Sequence, residues 1–194
     1  MTQVAAERGG TEHLGMWGIP SFYPTPDSLI YAMLEKITIT PNDHILEPSA
    51  GKGNIARILD AHYPENRLTL VERDPLLRAV LIADGYRVSG VRDFFNWSLP
   101  VDVILMNPPF SANYQDADHI RHAWAVLKRG GRLAAICHWY TAGRQWENPI
   151  YKPAVFQRWL KSQGLQVEQN PLNAFNVGEH QTVVPTALLW GTKA

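Results

Sequence analysis

A doubly wound α/β fold, with a mostly parallel sheet and helices on both faces, is what this sequence of 194 residues predicts. Three observations carry it. From residue 44 onward, short apolar strands alternate with helical stripes of about 10–15 residues, the pattern of crossovers between parallel strands. A glycine-rich turn, Gly51-Lys52-Gly53, joins the first strand to the helix that follows. Residues 101–106 are a largely apolar run of the kind buried on both faces of a sheet.

The elements follow in order. Residues 1–20, rich in Gly, Thr and Glu, read as an arm, and 21–194 as one domain without an internal linker. Thr25-Pro26-Asp27 opens a helix, with Thr25 as N-cap, Pro26 in the first turn and Leu29, Ile30, Met33, Leu34 and Ile37 as the apolar stripe. A strand at 45–46 leads through the glycine turn into a helix carrying Ile55, Ile58 and Leu59, then a strand at 68–71. Asp74-Pro75 opens the next helix and Gly85 closes it, before short strands at 86–88 and 101–106. Ile120, Ala123, Trp124 and Leu127 mark a helix over 116–128, stopped by Gly130-Gly131, with a strand at 132–137 behind it. Val155, Phe156, Trp159 and Leu160 form the last stripe, ended by Gly164. Strands at 165–167 and 182–190 complete the sheet, and Pro185 predicts a bulge or a late start in the second of these.

Composition narrows the function. Eighteen basic residues balance eighteen acidic ones, which argues against a tight, sequence-blind nucleic-acid binder. A single cysteine, Cys137, excludes an intramolecular disulfide framework and a cysteine-cluster zinc site. It implies a reducing compartment, expected to be the cytoplasm. No apolar run approaches the ~20 residues of a membrane-spanning helix, and no signal peptide is expected at the N-terminus.

The first turn reads Glu47-Pro48-Ser49-Ala50-Gly51-Lys52-Gly53-Asn54-Ile55-Ala56. Gly51, Gly53 and Ala56 have the spacing of a nucleotide-binding turn, and Glu72, at the end of the next strand, can bond ribose hydroxyls. A P-loop is excluded, because Lys52 is followed by Gly53 rather than Ser or Thr. Glu47 chooses among the remaining ligands. A carboxylate there opposes a pyrophosphate but suits a ligand that joins a positive amine and sulfonium to adenosine, which is S-adenosylmethionine. An exposed loop acid is the alternative reading of Glu47.

These residues resemble motif I of the class I S-adenosylmethionine-dependent methyltransferases, in the form found among adenine-N6 amino-methyltransferases. Leu68-Thr69-Leu70-Val71-Glu72-Arg73-Asp74 is similar to the second motif, with Arg73 where the family usually has an apolar residue. Arg92-Asp93-Phe94-Phe95 resembles the third, whose acid contacts the adenine amine while the following aromatic packs on the ring. Asn107-Pro108-Pro109-Phe110 resembles the fourth. Ser21-Phe22-Tyr23-Pro24-Thr25-Pro26 resembles motif X, which precedes motif I in the gamma order and closes over the methionine part, here through Tyr23 and Thr25. The resemblance implies a Rossmann-like, seven-stranded methyltransferase sheet whose last strand is antiparallel.

In that reading the target amine bonds to the Asn107 side chain and the Pro108 carbonyl. Pro108 and Pro109 stiffen the turn, and Phe110 stacks on a base taken out of its helix. The resemblance implies N6-methylation of adenine, with DNA ranked ahead of RNA. Its alternatives are guanine-N2 or protein-glutamine methylation, or a catalytically silent cofactor-binding subunit. Trp139, Tyr140 and Arg144, after the strand at 132–137, and Phe175 are candidate substrate contacts. His119 and His122 have metal-ligand spacing but no further cluster, so the adjacent aspartates read as helix caps and no metal is expected. Target recognition is expected from loops, a partner chain or a homo-oligomer.

Overall fold

The structure is a computed structural model and describes residues 24–111, 113–175 and 184–194. The chain runs α1 (Asp27–Glu35), β1 (His44–Glu47), α2 (Asn54–His62), β2 (Arg67–Leu70), α3 (Pro75–Ala83), a 3₁₀ turn (Phe94–Asn96), β3 (Val101–Met106), α4 (Gln115–Val126), β4 (Leu127–His138), α5 (Trp139–Ala142), α6 (Lys152–Ser162), β5 (Gln166–Gln169) and β6 (Thr186–Thr192). The arm over 1–20 lies outside the described residues.

The strands form one sheet in the order β2-β1-β3-β4-β6-β5. β1 is parallel to β2 and β3, β3 to β4, and β6 is antiparallel to both β4 and β5. The expected antiparallel last strand is therefore present. It starts at Thr186, directly after Pro185, whose missing N–H would have broken the ladder and whose carbonyl instead accepts from Trp139 N at 2.8 Å.

Among the described residues the sheet has six strands where seven are expected. Residues 86–88 make only a parallel bridge, Leu70 to Val88, on the outer edge of β2. The turn at Gly85 (φ 87°) comes just before them and Ser89-Gly90 just after, so the segment is too short for a ladder. Two other expectations change. Pro26, not Thr25, occupies the N-cap of α1, and no side chain caps that helix. The helix at 116–128 gives way at Leu127, and Gly130 (φ 75°) lies in a register shift of β4 against β3.

Both sheet faces are covered. One layer packs Ile30, Met33, Ile55, Ile58 and Leu59 from α1 and α2 against Ile45, Val103 and Leu105. The other packs Ile120, Trp124, Phe156 and Leu160 from α4 and α6 against Leu46, Ile104, Leu133 and Ala135. β3 is nearly inaccessible on both sides, with Val103, Ile104, Leu105 and Met106 at 0% exposure. It is the stiff post on which the next turn is mounted.

Candidate active site

A cleft of about 600 Å³ opens where β1, β2 and β3 end, within the size range of small-molecule sites. The glycine turn forms one wall. Gly53 caps α2 with φ 83° and ψ 26°, a left-handed conformation that suits glycine. A Cβ there would meet Leu81 Cδ2 at 2.9 Å, so glycine also lets α2 sit close to α3.

Glu47, the last residue of β1, is 1% exposed. The Ala56 N–H donates to its carboxylate, while Oε2 has no hydrogen-bond partner among the described residues. Burial pushes this carboxyl well above the ordinary glutamate range, and the Glu72 charge adds to the effect. A carboxylate oxygen held dry without a donor is costly, and an arriving cation removes the cost.

Glu72 follows the end of the neighbouring strand β2. Its Oε2 accepts from Gly51 N at 2.7 Å and its Oε1 from Asp74 N at 2.8 Å. Burial raises its pKa, and backbone donors at Asp74, Gly51 and Arg73 offset part of that. Each carboxylate oxygen carries a second lone pair, so Glu72 can hold the turn and still accept from a diol.

Asp93 caps the 3₁₀ turn, accepting from Phe95 N at 3.0 Å. Phe94 is buried and stacks on His119 at 6.0 Å, while the more exposed Phe95 comes within 4.6 Å of the same ring. His119 Nδ1 lies 2.9 Å from Gln115 O, so Nδ1 donates and Nε2 is left as an acceptor, and burial lowers the His119 pKa. His119 and Leu77 line the cleft; the sequence singles out His119 only for its spacing to His122 and does not single out Leu77.

At the end of β3, Asn107 Nδ2 donates to Thr25 Oγ1 at 3.0 Å. The Thr25 hydroxyl, expected as a cap for α1, thus orients the Asn107 amide from 82 residues away. Phe110 packs against the core layer that contains Phe175 and meets His138 edge-on at 6.0 Å.

The structure gathers Thr25, Glu47, Pro48, Ser49, Ala50, Gly51, Glu72, Arg73, Asp93, Phe94, Asn107, Pro108, Pro109 and Phe110 around this one cleft. Tyr23 lies outside the described residues. Gly53, Trp139, Tyr140, Arg144 and Phe175 do not line it. Trp139 packs its ring on Gly143, where a Cβ would meet it at 1.8 Å, and Phe175 is 8% exposed in the core. Asp116 is not a cap: Tyr114 is the N-cap of α4, and Asp116, 1% exposed, accepts from His138 N at 3.0 Å. Among the described residues no group of His, Cys, Asp or Glu has metal-site geometry, and no helix is long and apolar enough to cross a membrane.

No family model matches the chain. It is similar to ribosomal RNA small subunit methyltransferase C of Pseudomonas putida strain F1, with 26% identity over 70% of this chain and 44% of that protein. The chain thus spans less than half the length of the curated relatives it matches. Among solved structures it resembles TrmN from Thermus thermophilus, with a TM-score of 0.58, 23% identity and coverage of 86% of this chain and 48% of that one. It also resembles a chain described as a modification subunit of a type I restriction enzyme from Vibrio vulnificus YJ016, with a TM-score of 0.66 and 18% identity, over 89% of this chain and 45% of that one. The fold is the Rossmann-like α/β fold of the methyltransferases.

Proposed function

We propose that this chain transfers a methyl group from S-adenosylmethionine to an exocyclic amine of a nucleobase in nucleic acid, with adenine N6 as the target. The observation that carries the reading is the pairing of a buried Glu47, whose Oε2 has no donor among the described residues, with Asn107-Pro108-Pro109-Phe110 at the end of the neighbouring strand β3 in the same cleft. The cofactor supplies an electrophilic methyl group on a sulfonium. Glu47 would hold the amine of its methionine part, Glu72 the ribose hydroxyls, and Asp93 with Phe94 the adenine.

The chain's own residues then position the acceptor. The Asn107 amide, oriented by Thr25, and the Pro108 carbonyl accept from the target NH₂ and turn its lone pair towards the methyl group. Two prolines keep those oxygens in place. Phe110 offers a face to the base. The amine becomes acidic as it is methylated, so the chemistry needs placement and exclusion of water more than a strong base.

Guanine N2 in RNA is the second reading: the relative named for ribosomal RNA favours RNA over DNA, and the Asn-Pro-Pro-Phe resemblance leaves guanine N2 as the alternative amine. One experiment tests both. DNA and RNA are incubated with the protein and methyl-labelled cofactor, digested, and their nucleosides analysed by mass spectrometry. Label in N6-methyladenosine or its deoxy form supports the proposal, and label in N2-methylguanosine the second reading. Label confined to protein overturns both.

A further inference from the structure

We propose that the aromatic ridge leading away from Phe110 binds the unpaired strand that flanks the target nucleotide, which makes single-stranded nucleic acid the preferred substrate. The proposal rests on the nucleic-acid reading above.

The ridge is a continuous series of ring contacts. It starts at Phe110 and runs to His138 at 6.0 Å, then to Tyr140 at 4.9 Å. The Arg144 guanidinium lies 5.1 Å from the rings of both Tyr140 and Trp146, and Trp146 meets Tyr151 at 5.8 Å. Tyr140 and Tyr151 are 41% and 52% exposed and Arg144 is exposed, while Phe110, His138 and Trp146 are half-buried, so the series borders solvent with its tyrosines and arginine outermost. Packing alone does not require so many rings at the surface.

The ridge is also rigid. Trp146 Nε1 donates to Tyr140 O at 2.9 Å, and Gln157 Nε2 reaches from α6 to Thr141 O and Arg144 O at 3.2 and 2.8 Å. The His138 ring is fixed by Tyr140 N, which donates to Nδ1 at 3.1 Å. Rings held before binding lose little entropy when a base stacks on them.

Charge selects the occupant. Arg144 is exposed and forms no ion pair among the described residues. A guanidinium stacked between two rings with no carboxylate partner can take a phosphate and remain stacked. Rings that read base faces need bases that are not already stacked in a duplex. An unpaired strand meets both conditions.

The test uses the whole chain and a fluorescein-labelled single-stranded 12-mer with a central adenine, followed by anisotropy, beside the same 12-mer annealed to its complement. The expected results are tighter binding of the single strand, and about a tenfold loss for Trp146→Ala that Trp146→Phe largely restores. Tyr151→Ala, at the exposed end, should show a smaller loss. Trp146→Ala also removes the bond to Tyr140 O and lowers the melting temperature, so the readout that separates a binding role from a general structural one is product-cofactor binding, which should stay at its wild-type value. Equal affinity of wild type and Trp146→Ala for the single strand overturns the proposal, as does preference for the duplex. Methyl transfer measured in parallel separates this from the functional reading. A wild type that binds the strand but labels no nucleic acid sinks that reading and leaves the ridge standing. A wild type that labels nucleic acid, with Trp146→Ala binding unchanged, does the reverse.

Discussion

Glu47 shows how a single residue can work against the free fold and in favour of a ligand. Because burial raises its folded pKa above the unfolded value, its stabilising effect is complete at pH below the ordinary glutamate range. That effect is lost as pH climbs through the raised value. Glu47→Gln keeps the shape and removes the charge. It should raise the melting temperature of the cofactor-free protein at neutral pH and weaken S-adenosylhomocysteine binding, with a charge-assisted contact of about 1.5–3 kcal/mol removed. In the wild type, the cationic amine binds the ionised carboxylate, so binding releases a proton and affinity rises with pH up to the free-state pKa. Calorimetry in buffers of different ionisation enthalpy measures that proton, and proton-neutral binding near the raised value would refute the assignment. Asn107 makes the complementary case. Asn107→Ala should leave cofactor affinity near wild type and reduce turnover by about 10²–10³, as expected for loss of one preorganised contact. Steady-state kinetics beside calorimetry checks both halves.

Among the elements, β1 joins β2 to β3, and His44 at its start makes that join sensitive to acid. The ring is 9% exposed and bonds Thr69 Oγ1 on β2 at 2.9 Å, and the backbone N–H donates to Asp102 Oδ2 on β3 at 2.9 Å. Burial first, then the Arg67 charge, lowers its pKa from 6.5 to about 4. The unfolded chain therefore takes up a proton that the folded one refuses. Stability is complete above pH 6.5 and falls as pH drops towards about 4, by a total of roughly 3 kcal/mol. Urea titrations from pH 7 to 4 should show that slope, and His44→Gln should flatten it. Such ties explain what the sequence makes legible and what it conceals. Apolar runs reveal β1 and β3, and helical periodicity reveals α4, because their faces meet a core. Pro185 reveals the late start of β6 because a missing donor is a local fact. The segment at 86–88 reads as a strand by composition, but only its neighbours limit it to one bridge. In the cleft, the glycine turn and the Asn-Pro-Pro-Phe turn are legible as local chemistry. The Thr25–Asn107 bond and the buried Asp116 join distant parts of the chain, and no window of sequence contains them.

At the scale of the molecule, the proposed function meets a constraint of charge, which bears on which nucleic acid the cleft could use. Eighteen basic residues against eighteen acidic ones leave no net field to draw in a polyanion, so counterion release contributes little to binding. Several of the cations are already committed within the fold. Lys128 pairs with Asp102, Lys152 with Asp118 and Arg132 with Asp43. To place an adenine amine at Asn107, the base must leave its stack, which costs a few kcal/mol in a paired duplex and least where the base is mismatched or unpaired. A strongly basic enzyme could recover that cost from many phosphate contacts. This chain has Phe110 and the rings beside it, whose stacking contributes about 1–3 kcal/mol per base. The balance predicts that the rate at a single target adenine rises from the fully paired duplex to a mismatched site to the single strand. A deficit of a few kcal/mol makes the first and last differ by tenfold or more. The measurement is kcat/KM on three oligonucleotides that share one labelled target. It should be repeated at two salt concentrations, because stacking-driven discrimination should persist at the higher one while phosphate-driven binding fades. Equal rates on all three would mean that some element outside this balance opens the duplex, and the charge argument would fail with it.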